Sequence, residues 1–283
     1  MSISRIAVAY LATPGGDDAL AVGEQIARTL GAELVLCMVL PSDRSALATT
    51  PSDILHREAE GWLAAAAAGV RDDLTVTTHL SFDESSTAGL IAAAEALAAE
   101  ALVVGGAGGG IAGPFSLGSV VNDLVHASPI PVVIAPRGAR LKRSERIREV
   151  TCAVGTRPGA NLLLETALRF CRATETPLRL VSLVAVDHAE SLEHAQQHAQ
   201  QAVDQAKAFL PADVPVSSRV ATGPTVEEAV NKLGWHDGDV IMVGSSRLAQ
   251  PRRLFLGSTA AKMLRVLQVP MFVVPKDEGA DND

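Results

Sequence analysis

The sequence predicts an α/β protein made of two homologous domains, each built on a parallel sheet. Three observations predict it. Short apolar runs alternate with helical patterns along the whole chain, as expected of strands joined by helical crossovers. The runs are apolar throughout, which is what strands covered by helices on both faces require. The alternation is also written twice. Val150-Thr151-Cys152-Ala153-Val154 answers Ile6-Ala7-Val8-Ala9-Tyr10, and Pro158-Gly159 answers Pro14-Gly15, both at an offset of 144. Further on the offset becomes 139: Gly105 returns as Gly244, Gly118-Ser119 as Gly257-Ser258, Pro131 as Pro270 and Pro136 as Pro275. Two constant registers that differ by five residues describe a duplication with a net deletion between them.

The elements of the first half follow in order. Ile6–Tyr10 reads as a strand, because the run Ile6–Ala12 is too short for a signal sequence and flows into a turn. Asp17–Leu30 reads as a helix after Pro14-Gly15-Gly16, with Asp17 as its N-cap and Gly31 just past its end. Leu34–Val39 is the second strand, Ser52–Ala68 a helix, Leu74–Leu80 the third strand and Thr87–Ala99 a helix. Ala101–Gly105 is the fourth strand, Ser119–His126 a helix and Val132–Ala135 the last strand. The parsing gives a first domain at residues 1–137, a basic linker at 138–148, a second domain at 149–276 and a disordered acidic tail at 277–283. The basic run Arg137–Arg148, with Glu145 its one acid, reads as a solvated hinge.

Composition narrows the function. With 24 Lys+Arg against 32 Asp+Glu the net charge is -8, so the chain has no general attraction to nucleic acid. Hydrophobic residues make up 48%, yet no apolar stretch approaches membrane-spanning length. Cys37, Cys152 and Cys171 lie in strand-like or helix-like runs and read as buried thiols of a cytoplasmic protein rather than a disulfide framework.

The segment that carries chemistry follows the fourth strand: Gly105-Gly106-Ala107-Gly108, nine residues, then Gly118-Ser119. Glycines let backbone amides approach phosphate oxygens without a Cβ in the way. The helix opened by Gly118-Ser119 presents free N–H groups and partial positive charge. Ligands of open parallel sheets also sit beyond the carboxyl ends of the strands.

These residues resemble the universal stress protein (UspA-like) family, whose nucleotide-binding members carry G-x2-G-x9-G-[S/T] after the fourth strand. Gly105, Gly108, Gly118 and Ser119 match that spacing in full. The resemblance spans both halves, including the closing runs Pro131–Pro136 and Pro270–Pro275. It implies two Rossmann-like (adenine nucleotide alpha hydrolase-like) domains with strand order 3-2-1-4-5. It also implies that the last strands pair across a pseudo-twofold to make a dimer within the chain, and that a homodimer of chains is open to it. The ligand it implies is ATP or a related adenine nucleotide with Mg2+, and Val39 matches a position that lines the adenine, a buried strand residue being the other reading of it.

The sequence departs from the family pattern at several places. The Asp that contacts the nucleoside in ATP-holding members falls at Leu11, and at Gly155 in the second half. Asp17 and Asn161 lie further on and read as helix caps. In the second half Arg247 replaces the middle glycine, and Arg252 and Arg253 follow; they read as an exposed loop, with an alternative anion site the other reading. Between Ala101 and Pro136 there is no Lys or Arg, so a triphosphate there relies on amides, Ser119 and a divalent cation.

Other signals are set aside. Gly108-x-Gly110-x-x-Gly113 follows a fourth strand and is interrupted by Pro114, unlike a dinucleotide fingerprint. His194 and His198, four apart in a Gln-rich helix, read as surface residues, and Glu227 and Glu228 as a helix start after Thr225. No general base stands beside the glycine loop. The sequence therefore predicts a cytoplasmic stress-response regulator that binds nucleotide in its first domain and acts on a protein partner. A nucleotide-free scaffold with a degenerated site is the alternative, and an ATP-using enzyme the third reading.

Overall fold

The structure is a computed structural model; it describes residues 4–42, 51–106, 118–142, 144–155, 161–185, 192–211, 213–245 and 254–275. Its contacts divide the chain into two compact units. One comprises Met1–Leu124 with Val132–Arg146, the other Val125–Pro131 with Ile147–Asp283.

The first unit contains β1 (Arg5–Ala9), α1 (Pro14–Leu30), β2 (Glu33–Pro41), α2 (Pro51–Gly69), β3 (Val76–Asp83), α3 (Ser86–Ala96), β4 (Ala101–Gly105), the start of α4 (Ser119–Ala127) and β5 (Val132–Ala135). Its strands are parallel in the order β3-β2-β1-β4-β5. The second unit contains β6 (Glu149–Ala153), α5 (Asn161–Thr174), β7 (Leu178–Ala185), α6 (Leu192–Phe209), β8 (Val216–Gly223), α7 (Val226–Asn231), β9 (Asp239–Gly244), α8 (Ser258–Leu264) and β10 (Met271–Val274). Its parallel order β8-β7-β6-β9-β10 is the same 3-2-1-4-5 arrangement. The offset of 144 maps β1 onto β6 end for end, and the offset of 139 maps β5 onto β10.

Burial explains the apolar runs. From Leu34 to Leu40 every residue of β2 is buried, because an inner strand has helices on both faces; all four residues of β5 and of β10 are buried as well. The outer strands differ. In β3 no residue is fully buried, and in β8 Ser217, Ser218 and Arg219 are exposed. Polar residues on an edge strand discourage pairing with another chain. Polarity also displaced the boundary of β3. Leu74 lies in a turn, its N–H donating to the Arg71 carbonyl at 3.2 Å, and the strand runs from Val76 to Asp83 rather than from Leu74 to Leu80.

Two helix ends also correct the sequence reading. The N-cap of α1 is Thr13, not Asp17: its φ of -140° and ψ of 160° are extended, and its side chain accepts from the Gly16 N–H at 3.2 Å. Pro14 then occupies a first-turn position that needs no donor. Asp17 sits inside the first turn, where its charge favours the helix dipole. At the other end Gly31, with φ 64°, is the left-handed cap the sequence indicated. α3 stops at Ala96, short of Ala99, because Ala98 takes a φ of 51° in an Ala-rich run that offers no stop signal. Thr225 caps α7 by accepting from the Glu228 N–H at 3.2 Å, with Glu227 and Glu228 in the first turn as read.

The basic run is not a solvated hinge. Gly138 and Arg140 both donate backbone N–H groups to the buried Asp18 carboxylate, at 2.9 and 3.0 Å. Arg146 donates to the Arg28 carbonyl at 2.9 Å. Arg148 pairs with Asp239, which is fully buried, at 3.0 Å. Arg140 and Arg148 are themselves exposed, yet each pairs with a buried carboxylate, which ties this run down.

Cys37, Cys152 and Cys171 are free thiols, buried as the sequence indicated. Burial pushes the Cys37 and Cys171 thiols up to about 12, and the Cys152 thiol higher still. Among the described residues no helix is long and apolar enough to cross a membrane.

Candidate functional site

The carboxyl ends of β1, β2 and β4 gather the described candidate residues of the first unit. β1 lies between β2 and β4, pairing with both. Gly105 ends β4, and Val39 lies two residues before the end of β2. α4 leaves the carboxyl side of β4 and returns to the parallel strand β5, so its N-terminus faces this same end of the sheet. Gly108 and the rest of residues 107–117 lie outside the described residues, as do Arg247, Arg252 and Arg253.

Each position has a local cause. Val39 is 9% exposed; it pairs with Ser81 of β3 and faces α3, where a Cβ on Gly89 would come within 2.6 Å of Val39 Cγ1. Ser81 Oγ is buried and has no hydrogen-bond partner among the described residues. Sequence reasoning gave no reason to single it out, since a serine in an edge strand is unremarkable until its neighbours are known. Gly105 meets the turn before α1: a Cβ there would overlap the carbonyl oxygen of Gly15. This glycine is thus required by chain packing, whatever else it does. The Gly106 N–H is already committed, donating to the Ala135 carbonyl at 3.2 Å.

Gly118 and Ser119 open α4. The first bond of the helix runs from the Asn122 N–H to the Gly118 carbonyl at 2.9 Å. By helix geometry the amides of Ser119, Val120 and Val121 have no acceptor within the helix. Ser119 is exposed. An anion is the chemical complement of such a helix end, whereas Val39 is a buried strand residue packed under α3. Leu11, where a carboxylate would meet a nucleoside, is 56% exposed and offers no hydrogen bond from its side chain. The nearest acid along the chain, Asp17, accepts from the Tyr10 hydroxyl at 3.4 Å. Burial, then the charge of Asp17, raises the pKa of Tyr10 and keeps it a neutral donor. The described residues therefore offer amide donors at the start of α4 but no carboxylate at position 11.

The second unit is built differently at the matching places. A Cβ on Gly244, the counterpart of Gly105, would meet among the described residues only the Leu163 side chain, at 3.6 Å. Gly257 caps α8 with extended backbone and no side-chain hydrogen bond. Gly155 is exposed. The side chain of Asn161, read as a cap, lies outside the described residues, although α5 begins there.

Two clefts lie away from these strand ends. One of about 500 Å3 is lined by Arg28, Glu33, Asp73, Thr75 and Arg146 at the amino ends of β2 and β3. Its cations are committed: Arg28 pairs with Glu24 at 2.7 Å and Asp73 at 2.8 Å. The other, of about 430 Å3, lies between α6 and β8 and is lined largely by Gln196, Gln197, Gln200 and Glu193. His194 and His198 of α6 are exposed, with ring centroids 6.2 Å apart. Among the described residues no group of three or more metal-ligating side chains is found.

The comparisons with known proteins agree with this architecture. The model of the universal stress protein family matches residues 2–136 and again 146–275. Universal stress protein Rv2319c of Mycobacterium tuberculosis and universal stress protein Mb2346c of Mycobacterium bovis are each 27% identical over 293 residues, covering 95% of this chain and 99% of theirs. A universal stress protein of Archaeoglobus fulgidus of known crystal structure superposes with a TM-score of 0.69 at 18% identity, over 97% of this chain and 99% of its own. With the family model matched twice and nearly end to end, the chain belongs to the universal stress protein family, as a member carrying two of its domains in tandem.

Proposed function

We propose that this universal stress protein binds ATP or a related adenine nucleotide through its first domain and acts as a stress-response regulator rather than an enzyme. The observation that supports this most is the Gly118-Ser119 start of α4 on the carboxyl side of β4, following Gly105 at the family's motif spacing. In this reading the amides of the first turn of α4 and the Ser119 hydroxyl meet phosphate oxygens, with Mg2+ balancing charge that no Lys or Arg between Ala101 and Pro136 supplies. Val39 packs against the base. Gly108 belongs to the same loop by its place in the motif. The sequence from Gly105 to Ser119 contains no acid or base, so turnover is not part of the proposal. The protein partner and a cytoplasmic location belong to the same reading.

One observation favours a second reading, a nucleotide-free scaffold: Leu11 presents an exposed aliphatic side chain where the nucleoside would need a carboxylate. Mass spectrometry of the denatured, freshly purified protein separates the two. Co-purifying adenine nucleotide near one per chain, lost in Gly118→Val, supports the binder. No nucleotide, together with no thermal shift on adding ATP and magnesium, would leave the scaffold.

A further inference from the structure

The Asp18 carboxylate is buried in the first turns of α1, with its side chain only 3% exposed. All its hydrogen bonds described here go to one segment. Oδ2 accepts from the Gly138 N–H at 2.9 Å, and Oδ1 accepts from the Arg140 N–H at 3.0 Å and from Arg140 Nη1 at 2.9 Å. The same Nη1 donates to the Pro14 carbonyl at 3.2 Å. Residues 137–145 lie between the two stretches matched by the family model, and here they form a short 3-10 turn, Ala139–Leu141, entered through Gly138 at φ 81°. A buried carboxylate needs such partners, since leaving it without them strands an uncompensated charge in the protein interior.

What makes this cluster more than a brace is its neighbour. Pro14, held by Arg140, is followed by Gly15, whose carbonyl lies against Gly105 at the end of β4. Successive peptide units of one turn thus touch the segment between the domains on one side and the root of the glycine loop on the other. An anion held at the carboxyl end of β4 would bear on the Gly105–Gly15 contact. The linker is what holds the other face of the same turn.

We propose that Asp18 and Arg140 are positioning residues for the nucleotide site of the first domain. They fix the Thr13–Gly16 turn against Gly105, and so tie occupancy of the site to the order of the segment between the domains. The proposal rests on the nucleotide reading above. By reciprocity, whatever factor the intact cluster adds to nucleotide affinity, bound nucleotide adds to the stability of the cluster.

The linker supplies its own reporter, because trypsin cuts after Arg137, Lys142, Arg143 and Arg146. The full chain is digested briefly with and without saturating MgATP, the cuts are located by mass spectrometry, and ATP binding is measured separately by equilibrium dialysis. In the wild type ATP is expected to slow the linker cuts by about fivefold or more, within the range of ordinary coupling. Arg140→Ala should speed the cuts without nucleotide, weaken ATP by a factor of similar size and abolish the protection, with Arg140→Lys restoring part of both. Arg172→Ala, which removes an exposed pair with Asp213, should leave both measurements unchanged. If dialysis shows ATP bound while the cuts proceed at one rate with and without it, the coupling is wrong and the nucleotide reading stands. If dialysis shows no ATP bound, both fall. An Arg140→Ala chain that loses protection but binds ATP as the wild type does would also overturn the positioning role.

Discussion

A Cβ placed on Gly89 of α3 would lie 2.9 Å from the Cβ of Asp83 at the end of β3. In the second unit the same contact is solved with the glycine on the opposite element. The counterparts, both at an offset of 140, are Gly223 at the end of β8 and Ala229 in α7, and a Cβ on Gly223 would come within 2.6 Å of the Ala229 N–H nitrogen. Strand end and helix approach closely in both units, and each repeat carries a glycine on one of the two elements, the Gly89 site being crowded by Val39 as well.

Gly89→Ala should therefore destabilise the first unit by about 1–3 kcal/mol, the usual cost of overpacking. Asp83→Gly, in the same chain, should recover part of it even though it gives up the bond from the Ser85 N–H to Asp83 Oδ1 at 2.8 Å. The check is a double-mutant cycle by denaturant unfolding. A coupling energy above about 0.5 kcal/mol is expected for contacting residues, whereas simple additivity would show that the two do not compete for space.

The strand-end glycines of the two units should respond unequally. Gly105→Ala drives a methyl into the Gly15 carbonyl, while Gly244→Ala meets only the end of a flexible leucine among the described residues. A loss of about 1–3 kcal/mol at Gly105 and a change within about 0.5 kcal/mol at Gly244 are expected. Melting curves of the two variants without any ligand decide it, and equal shifts would contradict the packing described for Gly105.

Thr13→Ala removes the cap of α1 and should cost about 1 kcal/mol, within the 0.5–2 kcal/mol range of such caps. Asp17→Asn, which the sequence alone would rank as the cap substitution, should cost less, because it alters only a charge in the first turn and a long contact to Tyr10. Thermal unfolding of both variants orders the two residues, and the reverse order would restore Asp17 as the cap.

The pH response of one surface pair has a definite sign. Hydrogen bonding to Arg28 holds the Asp73 carboxyl below its ordinary value. A carboxylate depressed in the folded state contributes stability above its unfolded pKa and loses it as pH falls through the folded value. Arg28→Ala should raise the pKa of Asp73 toward the ordinary carboxylate range, and NMR titration of its carboxyl carbon reads this directly.

The thiols should be chemically silent in the native protein. With burial raising the Cys37 and Cys171 pKa values to about 12 and that of Cys152 further, almost no thiolate exists near pH 8. A chromogenic disulfide reagent should react at that pH only as the protein unfolds. Prompt reaction of a native thiol would show that its strand or helix opens locally.

The duplicated α/β organisation and the strand set were legible in the chain itself, because hydrophobic period and turn-forming residues are local properties. The offsets of 144 and 139 survive as superposable element boundaries in β1 and β6 and in β5 and β10. The left-handed Gly31 cap and the Thr225 helix start were equally visible. Errors fell where a residue's own chemistry is ambiguous. Thr13 and Asp17 are both good caps, and only the neighbouring Pro14 favours Thr13. Ala98 carries no mark of the left-handed backbone it adopts.

The sequence by itself determined the family and the glycine spacing after β4, since both are written in residue order. Tertiary structure alone decided that Gly105 makes room for the Gly15 carbonyl, that Asp18 anchors Gly138 and Arg140 from 120 and 122 residues away, and that Ser81 buries a hydroxyl with no partner among the described residues. The reason is physical: backbone propensity acts over a few neighbours, whereas close approach and the desolvation of a charge depend on atoms that the chain brings together only when it folds.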